Sequence, residues 1–484
     1  MIGNIMKKYY LSLMILSIFY SCRVVPQAIT SIDVDIIPIA KVDTAKYIAL
    51  YPSGFHINQT FKLRNFKQDT LFLKLDYKSV FYSGLDMVLY YQGLKITDID
   101  TKRNIDFEVY ENGIKLPLSS KNANIKIEYF YQPDYMTGEE AEQQTAFMTR
   151  VMTDWQSWYF TIPDMKFEEI RFNVPPNKMF FVSKEIQEKK ENTYYLNCKN
   201  IDSLGITFVV LEPQYYEKFK IDVVKDSYFY VYAFKGFNIT NDSSSYASYY
   251  VPKDTVLGMD KYSNYLLAVS QIQDFFGKNI SASIVDGNLK VSSAKFGMAF
   301  PTENNKNTFV LMDTAFWKSS DGLHEIIHLF NDIYPYYSKY NKGSSFFKES
   351  MTEFLAVYFY YKNTKKIDSV FNEKIKRYNE MFPVDKSIFT NYNSDDEVHY
   401  NINPDTKAND RNFGIDYGVI IQKTPYKIYS LGRSVGLEKF INILSRFYKE
   451  EVNKKTNYDF EIFRKFLLNN GVTTKQWNEF IQNL

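Results

Sequence analysis

The sequence predicts an α+β, multidomain protein in which a β-rich half precedes a mixed and then helical half. Apolar and polar residues alternate in short segments such as 60–64 and 70–76, which is the two-residue period of strands. Residues 238–249 are rich in serine, asparagine and tyrosine, which is typical of a boundary loop. From residue 261 onward, apolar residues recur at helical spacing. We therefore predict a β-rich domain at 23–240 and a second domain at 241–484.

The remaining elements are predicted from the same periodicities. Within the first domain, residues 139–151 form either one helix or a long insertion. Further strands are expected at 107–116, 170–174, 180–182, 206–210, 228–234, 279–285, 289–291 and 308–312. Helices are expected at 261–276, 366–382, 418–433, 437–448, 458–468 and 475–484, besides the two that carry the motifs below. Residues 383–414 are rich in asparagine and aspartate and lack periodicity, so they are predicted to form a long loop.

The charge balance excludes one class of partner. The chain of 484 residues has 58 basic and 56 acidic residues, a net charge of +2. Nucleic-acid binding usually needs a strong excess of basic residues. We therefore expect no nucleic-acid partner, and a chain of this length can bury large apolar cores.

Residues 1–22 have the pattern of a bacterial lipoprotein signal peptide. Two lysines precede an apolar run at 9–20 that is too short to span a bilayer, and Ser21-Cys22 follows. An ordinary secretory signal with an incidental cysteine is the alternative. Acylation of Cys22 would anchor the mature chain in the cell envelope, on the periplasmic face of the outer membrane because no acidic run follows Cys22. Cys198 would then have no disulfide partner.

A His-Glu-x-x-His motif carries the chemistry of the chain. His324 and His328 are two of only four histidines, and their spacing places both rings on one face of a helix, where they can share a metal ion. Glu325 lies beside the first histidine and can act as a general base toward water. Serines at 319 and 320 and an aspartate at 321 are candidates to cap this helix. The alternative is an amphipathic helix with two surface histidines.

A catalytic zinc ion needs a third protein ligand and one open position. Glu349 and Glu353 follow downstream at helical spacing, so they project together. One can bind the metal while the other hydrogen-bonds a ligand histidine. The pattern alone leaves open which carboxylate takes which role, or whether both are solvated helix charges.

These motifs resemble the gluzincin metallopeptidases, specifically the aminopeptidase N and leukotriene A4 hydrolase family. Residues 346–350 stand where that family has Trp-Leu-Asn-Glu-Gly, and residues 295–299 stand where it has Gly-x-Met-Glu-Asn. Residues 423–440 are similar to the helix pair that closes its catalytic domain. The resemblance implies a saddle-like or sandwich N-terminal domain, followed by a thermolysin-like mixed α/β and then α-helical catalytic domain.

The resemblance also implies a role for each site residue. His324, His328 and Glu349 would bind one Zn²⁺ ion per chain. Glu325 would activate water and pass its proton to the leaving amine, and Glu353 would steady the first histidine. Residues 297–299 (Gly297, Met298 and Ala299) would form an edge strand that binds substrate.

Two positions depart from the family. Ala299 replaces the glutamate that grips the free amine of the substrate, so exopeptidase and endopeptidase activity both stay open. Ile421 stands where the family has the tyrosine that stabilises the oxyanion. Tyr417, about one turn earlier, is the candidate for that role, and His399 is the alternative.

The predicted function is zinc-dependent hydrolysis of peptide bonds at the bacterial cell envelope, with peptides as substrate. The altered positions 299 and 421 motivate an alternative, a catalytically inactive lipoprotein that uses the peptidase scaffold for binding. Hydrolysis of a non-peptide substrate is a third possibility.

Overall fold

The computed structural model describes twenty stretches of the chain: residues 27–37, 54–66, 69–74, 91–110, 113–131, 142–144, 148–151, 158–163, 165–198, 206–224, 227–235, 237–242, 247–252, 263–286, 297–300, 308–312, 319–331, 346–381, 418–453 and 460–482. The chain divides into two compact units, Met1–Leu211 with Ser243–Ala247, and Glu212–Asp242 with Ser248–Leu484. The predicted signal peptide with Cys22 lies outside the described residues, as do His399 and Tyr417.

The first unit is built from strands. They are β1 (Gln27–Ile37), β2 (Gly54–Arg64), β3 (Thr70–Lys74), β4 (Tyr91–Asp98), β5 (Arg103–Asn104), β6 (Glu108–Tyr110), β7 (Gly113–Pro117), β8 (Ala123–Tyr131), β9 (Glu142–Gln144), β10 (Met148–Val151), β11 (Lys166–Asn173), β12 (Met179–Val182), β13 (Ile186–Lys190), β14 (Thr193–Leu196) and β15 (Phe208–Leu211). They form an eight-stranded sheet in the order β13-β14-β11-β1-β2-β8-β4-β5, a four-stranded sheet β12-β15-β10-β9 and a three-stranded sheet β3-β7-β6. The β-rich prediction for this half is confirmed.

Alternation along the strands builds the core of this unit. Ile57, Phe61 and Leu63 of β2 are fully buried, and β2 pairs with β8, whose Ile125 and Ile127 are also fully buried. Each residue between them points to the opposite face of the sheet. The sequence pattern is therefore sufficient to set which face of these strands is buried.

One of the two alternatives predicted for residues 139–151, a single helix, is excluded by the structure. Residues 139–151 do not form a single helix, because β9 and β10 lie within this stretch and pair with each other. Strand β10 also pairs with β15 along its whole length, from Met148 opposite Leu211 to Val151 opposite Phe208. Pairing with a distant strand outweighs the local helix preference of this segment.

The second unit combines one mixed sheet with helices. Its strands are β16 (Tyr216–Val224), β17 (Ser227–Phe234), β18 (Phe237–Asp242), β19 (Ala247–Pro252), β20 (Ala282–Asp286), β21 (Gly297–Phe300) and β22 (Phe309–Met312). Its helices are α1 (Ser263–Phe276), α2 (Ser320–Asn331), α3 (Met351–Tyr361), α4 (Ile367–Met381), α5 (Thr424–Val435), α6 (Leu437–Phe447), α7 (Phe460–Asn469) and α8 (Thr474–Gln482), with π-helical segments at Phe346–Ser350, Gly418–Lys423 and Tyr448–Val452. The five-stranded sheet has the order β16-β17-β20-β22-β21. The predicted helical C-terminal part is confirmed.

The boundary between the units differs from the predicted one near residue 240. Strand β17 pairs in parallel with β20, and β16 pairs with β17, so both strands belong to the sheet of the second unit. Strands β18 and β19 also pair with each other where a boundary loop was expected. A strand pattern shows that a segment is extended but does not show which sheet it joins, which explains the difference.

The described part of the chain contains no helix that is both long enough and apolar enough to cross a membrane.

Candidate metal centre

Helix α2 presents the two motif histidines from a buried position. Ser319 precedes the helix, and its hydroxyl accepts a hydrogen bond from the backbone N–H of Asp321, as an N-cap residue does. The side chains of Leu323, Ile326 and Ile327 are fully buried in the core of the second unit. Burial of each such side chain contributes about 1.5–3 kcal/mol, so the apolar face fixes the helix and thereby the direction of the rings.

A π-helical segment carries the third candidate ligand. Glu349 lies in Phe346–Ser350, directly before α3, and both phenylalanines of this segment are buried. Asn331, at the end of α2, is fully buried and donates hydrogen bonds to the backbone oxygen of Phe347 (2.6 Å) and to the Thr352 hydroxyl (2.9 Å). These bonds join the end of the histidine helix to the segment that carries the carboxylate. Single-turn π segments occur frequently at functional sites.

Three ligand atoms converge at this place. The Nε2 atoms of His324 and His328 are 2.9 Å apart, and the Oε2 atom of Glu349 lies 3.4 Å from the first and 3.6 Å from the second. Tetrahedral ligands about 2.0–2.1 Å from a zinc ion are separated by about 3.3 Å, so the triangle has the size that zinc requires. Two imidazoles and one carboxylate are also a donor set of catalytic zinc sites. The three residues can therefore hold a metal ion.

Glu353 contacts the back of the first histidine. Its Oε2 atom lies 2.8 Å from Nδ1 of His324, and its carboxylate is 5% exposed. When Nδ1 of the neutral ring donates its proton to Glu353, the lone pair is on Nε2, where a metal ion can accept it. Of the two arrangements that the sequence left open, the structure shows Glu349 beside both Nε2 atoms and Glu353 at Nδ1.

Lys374 of α4 completes this arrangement, and nothing in the sequence pattern singled it out. Its ammonium group lies 2.5 Å from Oε1 of Glu353 and donates a hydrogen bond to the backbone oxygen of Ile421, 3.3 Å away. A lysine on an amphipathic helix is ordinary, so only the fold could reveal this contact. Lys374 thus links α3, α4 and the π-helical segment Gly418–Lys423.

The charges set the protonation of the site. Burial lowers the pKa of His324, but hydrogen bonds to Glu349 and Glu353 outweigh it and raise the pKa to about 9. Burial raises the pKa of Glu353, but the charge of Lys374 and the bond from His324 outweigh it and lower the pKa to about 2. The pKa of Glu349 is also held well below its usual value, because both histidines outweigh burial. Both carboxylates are therefore ionised at neutral pH.

The candidate metal centre opens into a cavity of about 780 Å³. The cavity is lined by Ser319, Ser320, Asp321, His324, Glu325, Glu349, Glu353, Tyr361, Ser369, Val370, Glu373, Lys374, Arg377, Ile421 and Gln422. Glu325, the predicted general base, thus faces the same space as His324 and Glu349.

The three residues that were predicted to bind substrate lie on an edge strand. Gly297, Met298 and Ala299 belong to β21, which pairs antiparallel with β22 at the end of the five-stranded sheet and contacts α2. An edge strand at this place was predicted. Ala299 packs against the apolar core of the unit, and a methyl group offers no charge to a substrate amine.

We expect the metal centre to exchange a proton for a metal ion. In the metal-free protein, the folded-state pKa of His324, about 9, lies above the unfolded value near 6.5. The protonated ring therefore contributes stability that is fully present below pH 6.5 and is lost as the pH rises through 9. Zinc must displace this proton, so binding should release about one proton per ion at pH 7–8, and affinity should rise roughly tenfold per pH unit toward pH 9.

Titration calorimetry in buffers with different ionisation enthalpies measures this release. Glu353→Leu is the matched control, because it removes one carboxylate that raises the pKa of His324 and should reduce the proton release. A zinc affinity that does not change between pH 7 and 9 would contradict this expectation.

No protein-family model matches the chain, and no curated protein sequence does. Solved structures that share its fold include the following two. The first, an aminopeptidase N family protein from Idiomarina loihiensis, has a TM-score of 0.57 and 11% sequence identity over 93% of this chain and 75% of its own. The second, a mutant M1 zinc metallopeptidase from Deinococcus radiodurans bound to a Tyr-Ser-Ala substrate, has a TM-score of 0.50 and 8% identity over 94% and 93%.

Both structures are matched over most of the two chains, so the likeness extends across the β-rich half and the helical half. The resemblance to this family, which the sequence motifs predicted, is confirmed at the level of the fold. The chain has the fold of the M1 zinc metallopeptidases and of the aminopeptidase N family.

Proposed function

We propose that the chain is a zinc-dependent peptidase. The observation that carries this proposal is the triangle of His324, His328 and Glu349, two of which line the same cavity as Glu325. A metal-binding protein without catalysis has no need for a carboxylate beside the ligands. Helix α2 carries two of the metal ligands, His324 and His328, and a candidate general base, Glu325. This combination favours a hydrolytic site over a site that only stores a metal ion or uses it to stabilise the fold.

The residues of the chain divide the work of peptide hydrolysis. Zinc, when held by the three ligands, would polarise the scissile carbonyl and acidify water at neutral pH. Glu325 takes a proton from water at its carboxylate and delivers it to the leaving amine nitrogen. Glu353 accepts the Nδ1 proton of His324 and keeps that ring in one tautomer and orientation. Lys374 keeps Glu353 ionised, as the low pKa of Glu353 shows.

The volume of the cavity indicates how large a substrate it can hold. A volume of about 780 Å³ is within the range of sites that enclose small ligands, so a few residues of a peptide would fit. The substitution at Ala299 removes the family's amine-gripping carboxylate. We therefore propose that a free N-terminus is not required and that blocked peptides are cut as well.

We also propose a location for this activity. The lipoprotein-like signal at residues 1–22 motivates an anchor at Cys22 that holds the enzyme in the cell envelope, on the periplasmic face of the outer membrane. Peptides produced in that compartment would be its substrates. Mass spectrometry of the mature N-terminus tests this, because acylation adds a defined mass to Cys22, and an unmodified cysteine would contradict the anchor.

Metal analysis combined with cleavage profiling tests the activity. We expect about one zinc ion per chain and cleavage of a mixed peptide library, with similar rates for free and acetylated N-termini. Removal of zinc with a chelator should abolish cleavage, and addition of zinc should restore it. Bound zinc without cleavage of any peptide would contradict the proposal and support a binding protein on this scaffold.

A further inference from the structure

A second polar group at the cavity is not explained by the metal centre. Gln422 lines the cavity, yet the residue is only 8% exposed. Its Oε1 atom is buried and has no hydrogen-bond partner among the residues that the structure describes. Leaving a buried amide group unbonded destabilises a protein, so such a group calls for a reason.

Two hydrogen bonds hold the backbone next to Gln422, and both come from residues near the candidate metal ligands. The Ser350 hydroxyl donates a hydrogen bond to the backbone oxygen of Ile420, 2.8 Å away. Lys374, which pairs with Glu353, donates to the backbone oxygen of the next residue, Ile421. The segment that carries Gln422 is therefore tied to the residues adjoining Glu349 and to the partner of Glu353, and its position relative to the candidate metal centre is fixed.

The chemistry of this side chain matches that of a peptide group. An amide side chain offers one carbonyl acceptor and two N–H donors, and a peptide bond offers one donor and one acceptor. The last side-chain bond of glutamine rotates over a broad range, so either end of the amide can turn toward the cavity. A substrate that fills the cavity would supply the bonds that the protein itself does not.

We propose that Gln422 is a substrate-binding residue whose amide hydrogen-bonds a backbone peptide group of the substrate. This inference rests on the proposed peptidase function and adds a specificity residue to it. Because the amide is buried and the backbone that carries it is held by Ser350 and Lys374, the bond favours substrates that have a peptide group at that place over analogues that lack one.

Gln422→Leu tests the proposal, because leucine has a similar volume and removes only the hydrogen-bonding capacity. Thr424→Val is the matched control. Thr424 is fully buried two residues away, its hydroxyl also lacks a partner within the described stretches, and it is not among the residues that line the cavity. Both variants remove an unbonded buried polar group, so both should unfold at the wild-type temperature or above it.

Only Gln422→Leu should weaken substrate binding. In zinc-loaded protein that also carries Glu325→Gln, we expect the Kd for an uncleaved library peptide to rise roughly tenfold with Gln422→Leu, the loss of one buried hydrogen bond, and not at all with Thr424→Val. In a series of peptides with one amide replaced by an ester at a time, one position should weaken binding to the parent protein but not to Gln422→Leu.

Each outcome has one meaning. Equal Kd values with and without Gln422→Leu would overturn this proposal and leave the peptidase function intact. A lower unfolding temperature together with weaker binding at every ester position would show a structural role instead. A wild-type protein that neither binds nor cleaves any library peptide would overturn both the proposal and the function on which it rests.

Discussion

Glu325→Gln is expected to reduce kcat/KM for peptide hydrolysis by roughly a hundred- to ten-thousandfold while about one zinc ion per chain stays bound. The reason is that glutamine keeps the size and hydrogen-bonding reach of the side chain but cannot take a proton from water. None of the three metal ligands is altered, so metal content should not change. Metal analysis and cleavage rates on the same preparation check both parts of this expectation.

Glu349→Gln is the matched variant, since it makes the same chemical change within the same cavity. Here the carboxylate that lies 3.4 and 3.6 Å from the two imidazole nitrogens is lost, so zinc and activity should disappear together. If Glu325→Gln also lost its zinc, or kept its activity, the separate roles of the two glutamates would be wrong.

Lys374→Met is expected to destabilise the metal-free protein by about 3–5 kcal/mol, the usual cost of removing one partner from a buried ion pair. Both side chains are well buried, Lys374 at 12% and Glu353 at 5% exposed, so solvent can replace little of the lost interaction. The variant should also bind zinc roughly ten- to a hundredfold more weakly, because Glu353 would support His324 less well. Urea unfolding and zinc titration measure the two effects.

The effect of pH separates this ion pair from simple packing. The pKa of Glu353 is lowered to about 2 from the usual 4.5, so its contribution to stability is present above pH 4.5 and is lost as the pH falls toward 2. In Lys374→Met, the free energy of unfolding should therefore fall less between pH 4.5 and pH 2 than it does in the wild-type protein. Adding Glu353→Leu to that variant removes the stranded carboxylate and should restore much of the stability but not the zinc affinity. Unchanged urea midpoints in Lys374→Met would contradict the buried pair.

Much of the fold could be predicted because burial follows simple periods. The alternation at 60–64 predicts a strand within β2, and residues 366–382 predict α4 almost to its ends. Pairing partners are another matter, since they depend on residues far along the chain. The sequence therefore misassigned β16 and β17 to the first domain, and it could not show that β10 pairs with β15.

In the candidate site, too, local spacing could be predicted from the sequence, but contacts between distant residues could not. The spacing of His324 and His328 predicts one shared helix face, and the structure brings both rings together. Glu349 and Glu353 have the same helical spacing, so the pattern could not say which one adjoins the Nε2 atoms. The π-helical segment and Lys374 make that distinction in the structure, and neither has a local sequence signal. Gln422 was missed for the same reason.

The hydrogen bonds from Asn331 to Phe347 and Thr352 have a consequence for how such proteins diverge. They join the end of α2, three residues after His328, to residues on both sides of Glu349. We therefore expect that the number of residues between Asn331 and Phe346 can change in related proteins without moving Glu349 away from the two histidines. Distant homologues are then better recognised by a buried asparagine after the second histidine than by a fixed count of residues to the glutamate.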